Sequence, residues 1–170
     1  MFNKSVLNKH EIYTASCDMP IQNVLAMRAY AHPNKQLFLF LNDQGIECDQ
    51  ITFLELWQRT KYIAELISEQ TEPGDRIILF YPQGLDFIAS FFACLTSGRI
   101  AVPCNLPTRH RSDRCMNIIR DSRATAVLAP EDMIIRFFEC FADSDIQNLK
   151  WIATNSSMRS NEKPSLYDAY

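Results

Sequence analysis

The feature that most constrains this chain is a regular alternation of short β-forming runs with helical stretches from Arg76 onward. Strands joined through intervening helices need crossover connections, which place consecutive strands parallel in one sheet. We therefore expect an α/β fold with a doubly wound, mostly parallel sheet flanked by helices. The expected strands are residues 76–81, 100–104, 125–129 and 149–154, and the expected helices are residues 85–97, a helix beginning at Ser112 or Asp113, and residues 131–141.

A small N-terminal β-hairpin is predicted ahead of this alternation. Residues 36–41 (QLFLFL) are a run of β-forming side chains, and residues 46–51 follow as a candidate partner strand. The intervening residues 42–45 (NDQG) supply the polar side chains and the glycine that a tight turn favours.

Two helix-start signals flank this hairpin. Asp18 near the N-cap and Pro20 in the first turn predict a helix that ends near Ala31. Thr52 and Glu55 have the spacing of a capping box, in which each residue satisfies a backbone N–H of the other. The apolar positions after Thr52 keep a helical period, so one face of that helix packs on a core.

Helix 85–97 is apolar nearly all round, and Gly98 is placed to cap its end. Such a helix is normally covered on several sides. Its large apolar side chains are Phe87, Ile88, Phe91, Phe92 and Leu95.

Size and charge exclude several functional classes. The chain has 170 residues, 47% hydrophobic residues and a net charge of −3, as expected for one globular domain and not for a dedicated nucleic-acid binder. No apolar run reaches the roughly 18 residues of a membrane span. The first residues contain no continuous apolar core, so we expect no secretory signal and a cytoplasmic location.

The six cysteines show no C-x-x-C pair and no metal-ligand spacing with the histidines. We expect free, mostly buried thiols in a reducing compartment. A metal site and a disulfide or reactive thiol remain as alternatives. The cysteines are Cys17, Cys48, Cys94, Cys104, Cys115 and Cys140.

Ligands of open parallel sheets bind beyond the carboxyl ends of the strands, which directs attention to two loops. Residues 81–84 (YPQG) precede the apolar helix, and Gly84 would let a phosphate approach the helix N-terminus. Asp86 in the first turn would repel an anion, so a tight turn with an acidic helix start is the preferred interpretation.

The second loop, residues 106–111, is rich in cationic or titratable side chains. Together with the next helical turn it forms a candidate weak anion or partner patch of Arg109, His110, Arg111 and Arg114. A solvated loop whose arginines pair with nearby carboxylates is the preferred interpretation. Those carboxylates are Asp113 and Asp121.

No catalytic, cofactor-binding or metal-binding residue is predicted. The chain has no G-x-G-x-x-G, no phosphate loop with its lysine and no G-x-S-x-G elbow. Adjacency of His110, Ser112 and Asp113 in sequence does not make a triad. Glu131 and Asp132 are explained by their favourable position at a helix start.

Several segments together resemble the adenylate-forming ligases, and within them the fatty acyl-AMP ligases. Residues 81–88 (YPQGLDFI) and 91–95 (FFACL) are similar to that subfamily's Y-P-P-G-L-D-F-I and F-F-G-C-L. The matches continue on both sides, and their order and spacing are more specific than any one of them. They are residues 29–35 with 38–41, 51–56 (ITFLEL), 73–76 (PGDR) and 101–103 (AVP).

The resemblance implies the N-terminal subdomain of an enzyme that converts a fatty acid and ATP, with magnesium, to acyl adenylate for transfer to an acyl carrier protein. It implies an incomplete large domain in residues 1–155 and a polar tail, residues 156–170, leading to a nucleotide-binding loop beyond Tyr170. The chain alone would then be inactive, with no cofactor of its own, and its partners would be the remaining subdomains of the ligase. The sequence departs from the pattern at Ala93 and at residues 104–107, which bear on acyl specificity.

Two alternatives stay open: a non-catalytic binding or regulatory module that kept this part of the fold, and an unrelated flavodoxin-like domain, disfavoured because no phosphate-binding signature is present. An isolated subdomain should also expose an apolar face and self-associate, with helix 85–97 as the expected contributor.

Overall fold

The computed structural model describes residues 19–104, 112–140 and 149–155. These residues form five helices and six strands, numbered here in chain order. They are α1 (Ile21–Ala31), β1 (Gln36–Leu41), β2 (Glu47–Thr52), α2 (Phe53–Ser68), β3 (Arg76–Phe80), α3 (Leu85–Thr96), β4 (Ile100–Cys104), α4 (Ser112–Ser122), β5 (Ala126–Pro130), α5 (Glu131–Cys140) and β6 (Lys150–Thr154).

The main sheet has four parallel strands in the order β4-β3-β5-β6. The doubly wound α/β prediction is therefore confirmed. The strand bounds differ from prediction by one residue at four ends: β3 ends before Tyr81, β5 is shifted to Ala126–Pro130, and β6 begins at Lys150. Pro130 takes the last position of β5, opposite Thr154, and α5 begins at the next residue.

The predicted hairpin is confirmed as the antiparallel pair β1–β2. The Asn42 side-chain oxygen accepts hydrogen bonds from the backbone N–H groups of Gln44 (3.0 Å) and Ile46 (2.9 Å). Gly45 has φ +76°, a left-handed conformation that glycine adopts without steric cost. The turn is therefore built by the residues that the sequence indicated.

The capping box at the start of α2 is also confirmed. The backbone N–H of Glu55 donates to Thr52 Oγ1 (3.3 Å), and the Glu55 carboxylate accepts from the Thr52 N–H (2.8 Å). Helix α1 begins one residue after Pro20, which occupies the N-cap itself and makes no side-chain cap. Pro20 was predicted in the first turn of this helix and lies about one residue before it. Asp18 lies outside the described residues.

Helix α3 ends in a Schellman motif, as Gly98 suggested. The N–H of Gly98 donates to Leu95 O (3.2 Å) and that of Arg99 to Cys94 O (2.8 Å). Gly98 has φ +72°, which this motif requires of the residue after the C-cap. The chain is thereby turned directly into β4.

Side chains alternate between the two faces of the sheet, and each face carries its own core. Ile77 and Leu79 of β3 join the cluster under α1, α2 and α3, here called the α2–α3 face. Ile78 and Phe80 join the cluster under α4 and α5, here called the α4–α5 face. The two-residue period of a strand produces this division, and both cores depend on the same backbone.

The large exposed apolar side chains lie away from α3, contrary to expectation. Those of α3 are buried or half-buried because α1, α2, β2 and the sheet cover that helix. On α5, by contrast, Ile135 is 55% and Phe138 40% exposed. Others lie on the hairpin, namely Leu39, Leu41 and Ile46.

Candidate functional site

The sheet has a topological switch point between β3 and β5. Helix α3 follows β3 on one face and leads to β4, whereas α5 follows β5 on the other face and leads to β6. The carboxyl ends of parallel strands beside such a point are the usual binding crevice of an open α/β sheet. The residues at this edge are therefore the candidates for function.

Tyr81, directly after β3, is tied to the end of β6. Its hydroxyl lies 2.8 Å from Thr154 Oγ1, and both residues are buried on the α2–α3 face. Burial raises the pKa of Tyr81 above its ordinary value, and the neighbouring Ser90 and Thr154 hydroxyls oppose part of that shift. Ser90 Oγ is itself fully buried and has no hydrogen-bond partner in good geometry among the described residues.

The loop 81–84 bends at Gln83 and Gly84, and the acidic helix start of the preferred interpretation follows it. Gly84 is extended, with φ 163°, and a Cβ placed there would meet nothing within 4 Å. Asp86 lies in the first turn of α3 and forms an ion pair with Arg59 of α2. A shallow cleft runs beside this pair to Thr154 and Asn155. The Asp86 carboxylate would repel a phosphate at this helix start, and the arginine beside it is already paired.

The structure describes one member of the predicted cationic patch. Arg114 is exposed on α4, and its charge reaches the Cys104 thiol at the carboxyl end of β4. Arg109, His110 and Arg111 lie outside the described residues, as does the side chain of Asp113. The patch itself therefore stays a prediction, although Arg114 lies at the expected edge of the sheet.

The thiols differ sharply in their surroundings. Cys104 of β4 and Cys115 of α4 are both buried, and their Sγ atoms lie 3.8 Å apart. The neighbouring Cys115 thiol and the Arg114 charge lower the pKa of Cys104, against an opposing effect of burial. The hydrogen bond to Cys104, together with burial, raises the pKa of Cys115. Sequence spacing gave no signal for this pair because eleven positions separate its members.

The remaining described thiols fit the expected bland environment. Burial raises the pKa of Cys94, inside α3, to about 12, so it stays a thiol at neutral pH. Cys48 is exposed on β2. The four described cysteines are free of disulfides, as predicted, while Cys17 and the side chain of Cys140 lie outside the described part.

A buried arginine was missed by the sequence analysis. Arg99, directly before β4, donates from Nε to Thr71 Oγ1 (3.1 Å). Its two terminal nitrogens donate to the backbone oxygens of Ser97 and Thr71. Because all its partners are loop atoms, Arg99 joins the segment before β3 to the segment before β4 at the amino edge of the sheet. This position, opposite the candidate crevice, assigns it a structural role.

The remaining acidic candidates, Glu131 and Asp132, occupy ordinary helix-start positions. Glu131 and Asp132 are exposed in the first turn of α5, the position expected of acidic helix-start residues. The ranges described contain no group of three or more histidine, cysteine or acidic side chains that could hold a metal ion. Within the same ranges, no helix combines the length and apolar character needed to cross a membrane.

The sequence is similar to proteins of one known family. The profile of the family described as AMP-binding enzyme matches residues 25–166. The medium-chain-fatty-acid–[acyl-carrier-protein] ligase JamA of Moorena producens is 27% identical over 139 residues, which are 78% of this chain and 24% of that ligase. The human Disco-interacting protein 2 homolog B is 27% identical over 155 residues, 86% of this chain and 10% of that protein.

A solved structure gives the same result. The fatty acyl-adenylate ligase of L. pneumophila, determined in complex with acyl adenylate and pyrophosphate, superposes with a TM-score of 0.70 at 32% identity. The match covers 86% of this chain and 24% of that ligase, so the chain spans about a quarter of the length of the ligases it resembles. The chain belongs to the AMP-binding enzyme family, and it resembles the N-terminal part of the fatty acyl-AMP ligases.

Proposed function

We propose that this chain is the N-terminal portion of a ligase that activates a fatty acid with ATP as an acyl adenylate and passes the acyl group to an acyl carrier protein. The observation that carries the proposal is the match to the L. pneumophila ligase over 86% of the chain. The acyl carrier protein as acceptor is suggested by the name of the M. producens relative.

The described start of α3 at the switch point does not favour binding of an ATP phosphate. The helix start at the switch point carries the Asp86–Arg59 ion pair, and the extended backbone at Gly84 has open space around it. Neither feature forms a cradle of backbone N–H groups for phosphate. We therefore propose that the nucleotide binds other parts of the ligase. This chain would support those parts by packing against them.

Packing onto those other parts is the role that its surface supports. Ile135 and Phe138 are exposed on α5, and the Phe138 ring packs against Trp151 of β6. Apolar side chains of this size grouped on one surface are typical of an interface. The remaining subdomains of the ligase are the partner proposed for it.

The test is a chimera in which this chain replaces the matching quarter of the L. pneumophila ligase. We expect the chimera to form acyl adenylate from fatty acid and ATP, and the 170-residue chain alone to release no pyrophosphate above background. The same ligase without its N-terminal quarter is the control and should be inactive. A folded chimera that forms no acyl adenylate would contradict the proposal.

The second candidate is a non-catalytic binding or regulatory module. It is favoured by the match to Disco-interacting protein 2 homolog B, whose name describes an interaction and not a ligation. Both candidates predict that the isolated chain is inactive, so only the chimera distinguishes them. An active chimera would remove the main reason for this alternative.

A further inference from the structure

The thiol pair Cys104–Cys115 is chemistry that the proposed ligase function does not use. The two residues belong to different elements, β4 and α4, yet their Sγ atoms are in contact at 3.8 Å. A disulfide needs its sulfurs at about 2.05 Å and its Cα atoms within about 7 Å. For a disulfide to form, the two sulfurs must therefore approach each other by about 1.75 Å.

The surroundings of the pair favour reaction between its members. Both residues are more than nine-tenths buried, so a bulky disulfide reagent cannot reach the sulfurs and the oxidant must be a small molecule. Arg114, one residue before Cys115, places a positive charge near Cys104 and favours its thiolate. Cys94, by contrast, has no second cysteine among its contacts in the described part, and its thiol is held protonated by burial.

We propose that Cys104 and Cys115 form an oxidation-sensitive dithiol that hydrogen peroxide converts to an intramolecular disulfide. The Cys104 thiolate attacks one peroxide oxygen, an S–O bond forms, the O–O bond breaks, and the departing hydroxide takes a proton to become water. Cys115 sulfur then attacks Cys104 sulfur, the S–S bond forms and the S–O bond breaks, releasing a second water. The two thiol protons end in the two waters, and the two sulfurs together lose the two electrons that reduce the peroxide.

The consequence is a covalent link between the carboxyl end of β4 and the first part of α4. That link closes a ring around the positions that carry the predicted cationic patch in the sequence. Both cysteines belong to the core of the α4–α5 face, so the link would form on that side of the sheet. The inference concerns these two thiols alone and holds whether or not the chain is part of a ligase.

The experiment is peptide mapping of the 170-residue chain treated with hydrogen peroxide under native conditions, quenched with catalase and alkylated after denaturation without reductant. Trypsin places each of the six cysteines in its own peptide, because an arginine or lysine lies between every two of them. We expect peptides 100–109 and 115–120 as a linked species, lighter by two hydrogens than the reduced peptides together. Dithiothreitol should restore both.

Two controls keep the result specific. The same treatment in guanidinium should spread linkages among all cysteines, so that the 104–115 link no longer dominates. In Cys115→Ser, the linked species should be lost and the sulfenic acid of Cys104 should instead be trapped by dimedone added with the denaturant, whereas Cys94→Ser should retain the link. If Cys115→Ser does not fold, the mapping of the unaltered chain decides alone. Native oxidation that links Cys104 elsewhere, or that modifies Cys48 while leaving Cys104 and Cys115 reduced, overturns the proposal.

Discussion

The two faces of the parallel sheet differ in how completely they are enclosed. The α2–α3 face is covered by three helices, and the side chains that β3, β5 and β6 contribute to its core are buried, whereas Ala101 of β4 is half-buried. The α4–α5 face is covered by two helices, one of which carries exposed apolar side chains. Helices on both faces carry exposed apolar side chains, Ile21 and Tyr30 on α1 and Ile135 and Phe138 on α5, but the second face has one helix fewer over it.

Thiol chemistry follows the same division. Cys94 on the α2–α3 face is inert, because burial raises its pKa to about 12. The pair on the α4–α5 face shares a hydrogen bond, and the pKa of Cys104 is lowered. All three thiols are buried, so it is the neighbouring Cys115 thiol, and not the degree of enclosure, that separates Cys104 from Cys94.

The largest expected effect tests this asymmetry inside one strand. Ile77 and Ile78 are adjacent and fully buried, one on each face. Replacing either by alanine should cost about 2–5 kcal/mol of unfolding free energy, with Ile77→Ala the more costly because three helices hold its cavity open. Guanidinium unfolding of both variants measures the difference. Equal losses, or a larger loss for Ile78→Ala, would contradict the comparison.

Most of the fold was predictable because local signals and the global pattern agreed. The capping box at Thr52, the turn at Asn42 and the glycine after α3 each specify backbone hydrogen bonds within a few residues, and the structure contains them. Strand ends were less predictable. Thr125 continues the β-forming run and lies just outside β5, although its N–H donates to Arg76 O and its carbonyl accepts from the Lys150 N–H.

The non-local features were not predictable from one sequence. Arg99 bonds to Thr71 across 28 positions, and Tyr81 to Thr154 across 73. No periodicity or spacing rule encodes such pairs, since they depend on how crossovers bring the loops together. Helix α3 illustrates the same limit. Its apolar side chains were compatible either with burial on several sides or with an exposed apolar face. The packing of α1 and α2 against it buries them.

The next prediction concerns Arg99, the buried arginine at the amino edge of the sheet. Arg99→Ala removes the donors to Thr71 and Ser97 and leaves buried acceptors unsatisfied. We expect a loss of about 1.5–3 kcal/mol in unfolding free energy. Arg76→Ala is the matched control at an exposed arginine beginning β3, where a change within about 0.5 kcal/mol is expected. Chemical denaturation of the two variants would refute the role of Arg99 if their stabilities coincide.

A smaller effect is expected for Tyr81→Phe on the α2–α3 face. Losing the hydrogen bond to Thr154 should cost about 0.5–1.5 kcal/mol. The exposed Tyr30→Phe is the control and should leave stability unchanged.

Tyr81 also predicts a pH dependence. Its pKa is raised in the folded chain, so above about pH 10 the unfolded state loses this proton first and stability falls as pH rises toward the folded value. Tyr81→Phe should therefore lose stability less steeply above pH 10 than the parent chain. An identical slope in stability measurements across alkaline pH would show that Tyr81 does not carry this linkage.

The last prediction concerns Ile135, whose replacement should hardly change stability but should weaken self-association. Ile135 on α5 and Ile21 on α1 are similarly exposed, at 55% and 58%, but only Ile135 lies on the incompletely covered α4–α5 face. Replacing either by serine should change the unfolding free energy by no more than about 0.5 kcal/mol. If the α4–α5 face drives self-association of the isolated chain, Ile135→Ser should weaken that association and Ile21→Ser should not, as measured by sedimentation over a concentration series.

The two variants have the same substitution at similarly exposed positions, so they differ in their neighbours. Ile135 shares its helix with the exposed Phe138, which packs on Trp151 with ring centroids 4.8 Å apart. Equal weakening by both variants would assign association to general surface hydrophobicity, and a parent chain that stays monomeric would mean that this face is sufficiently covered without a partner.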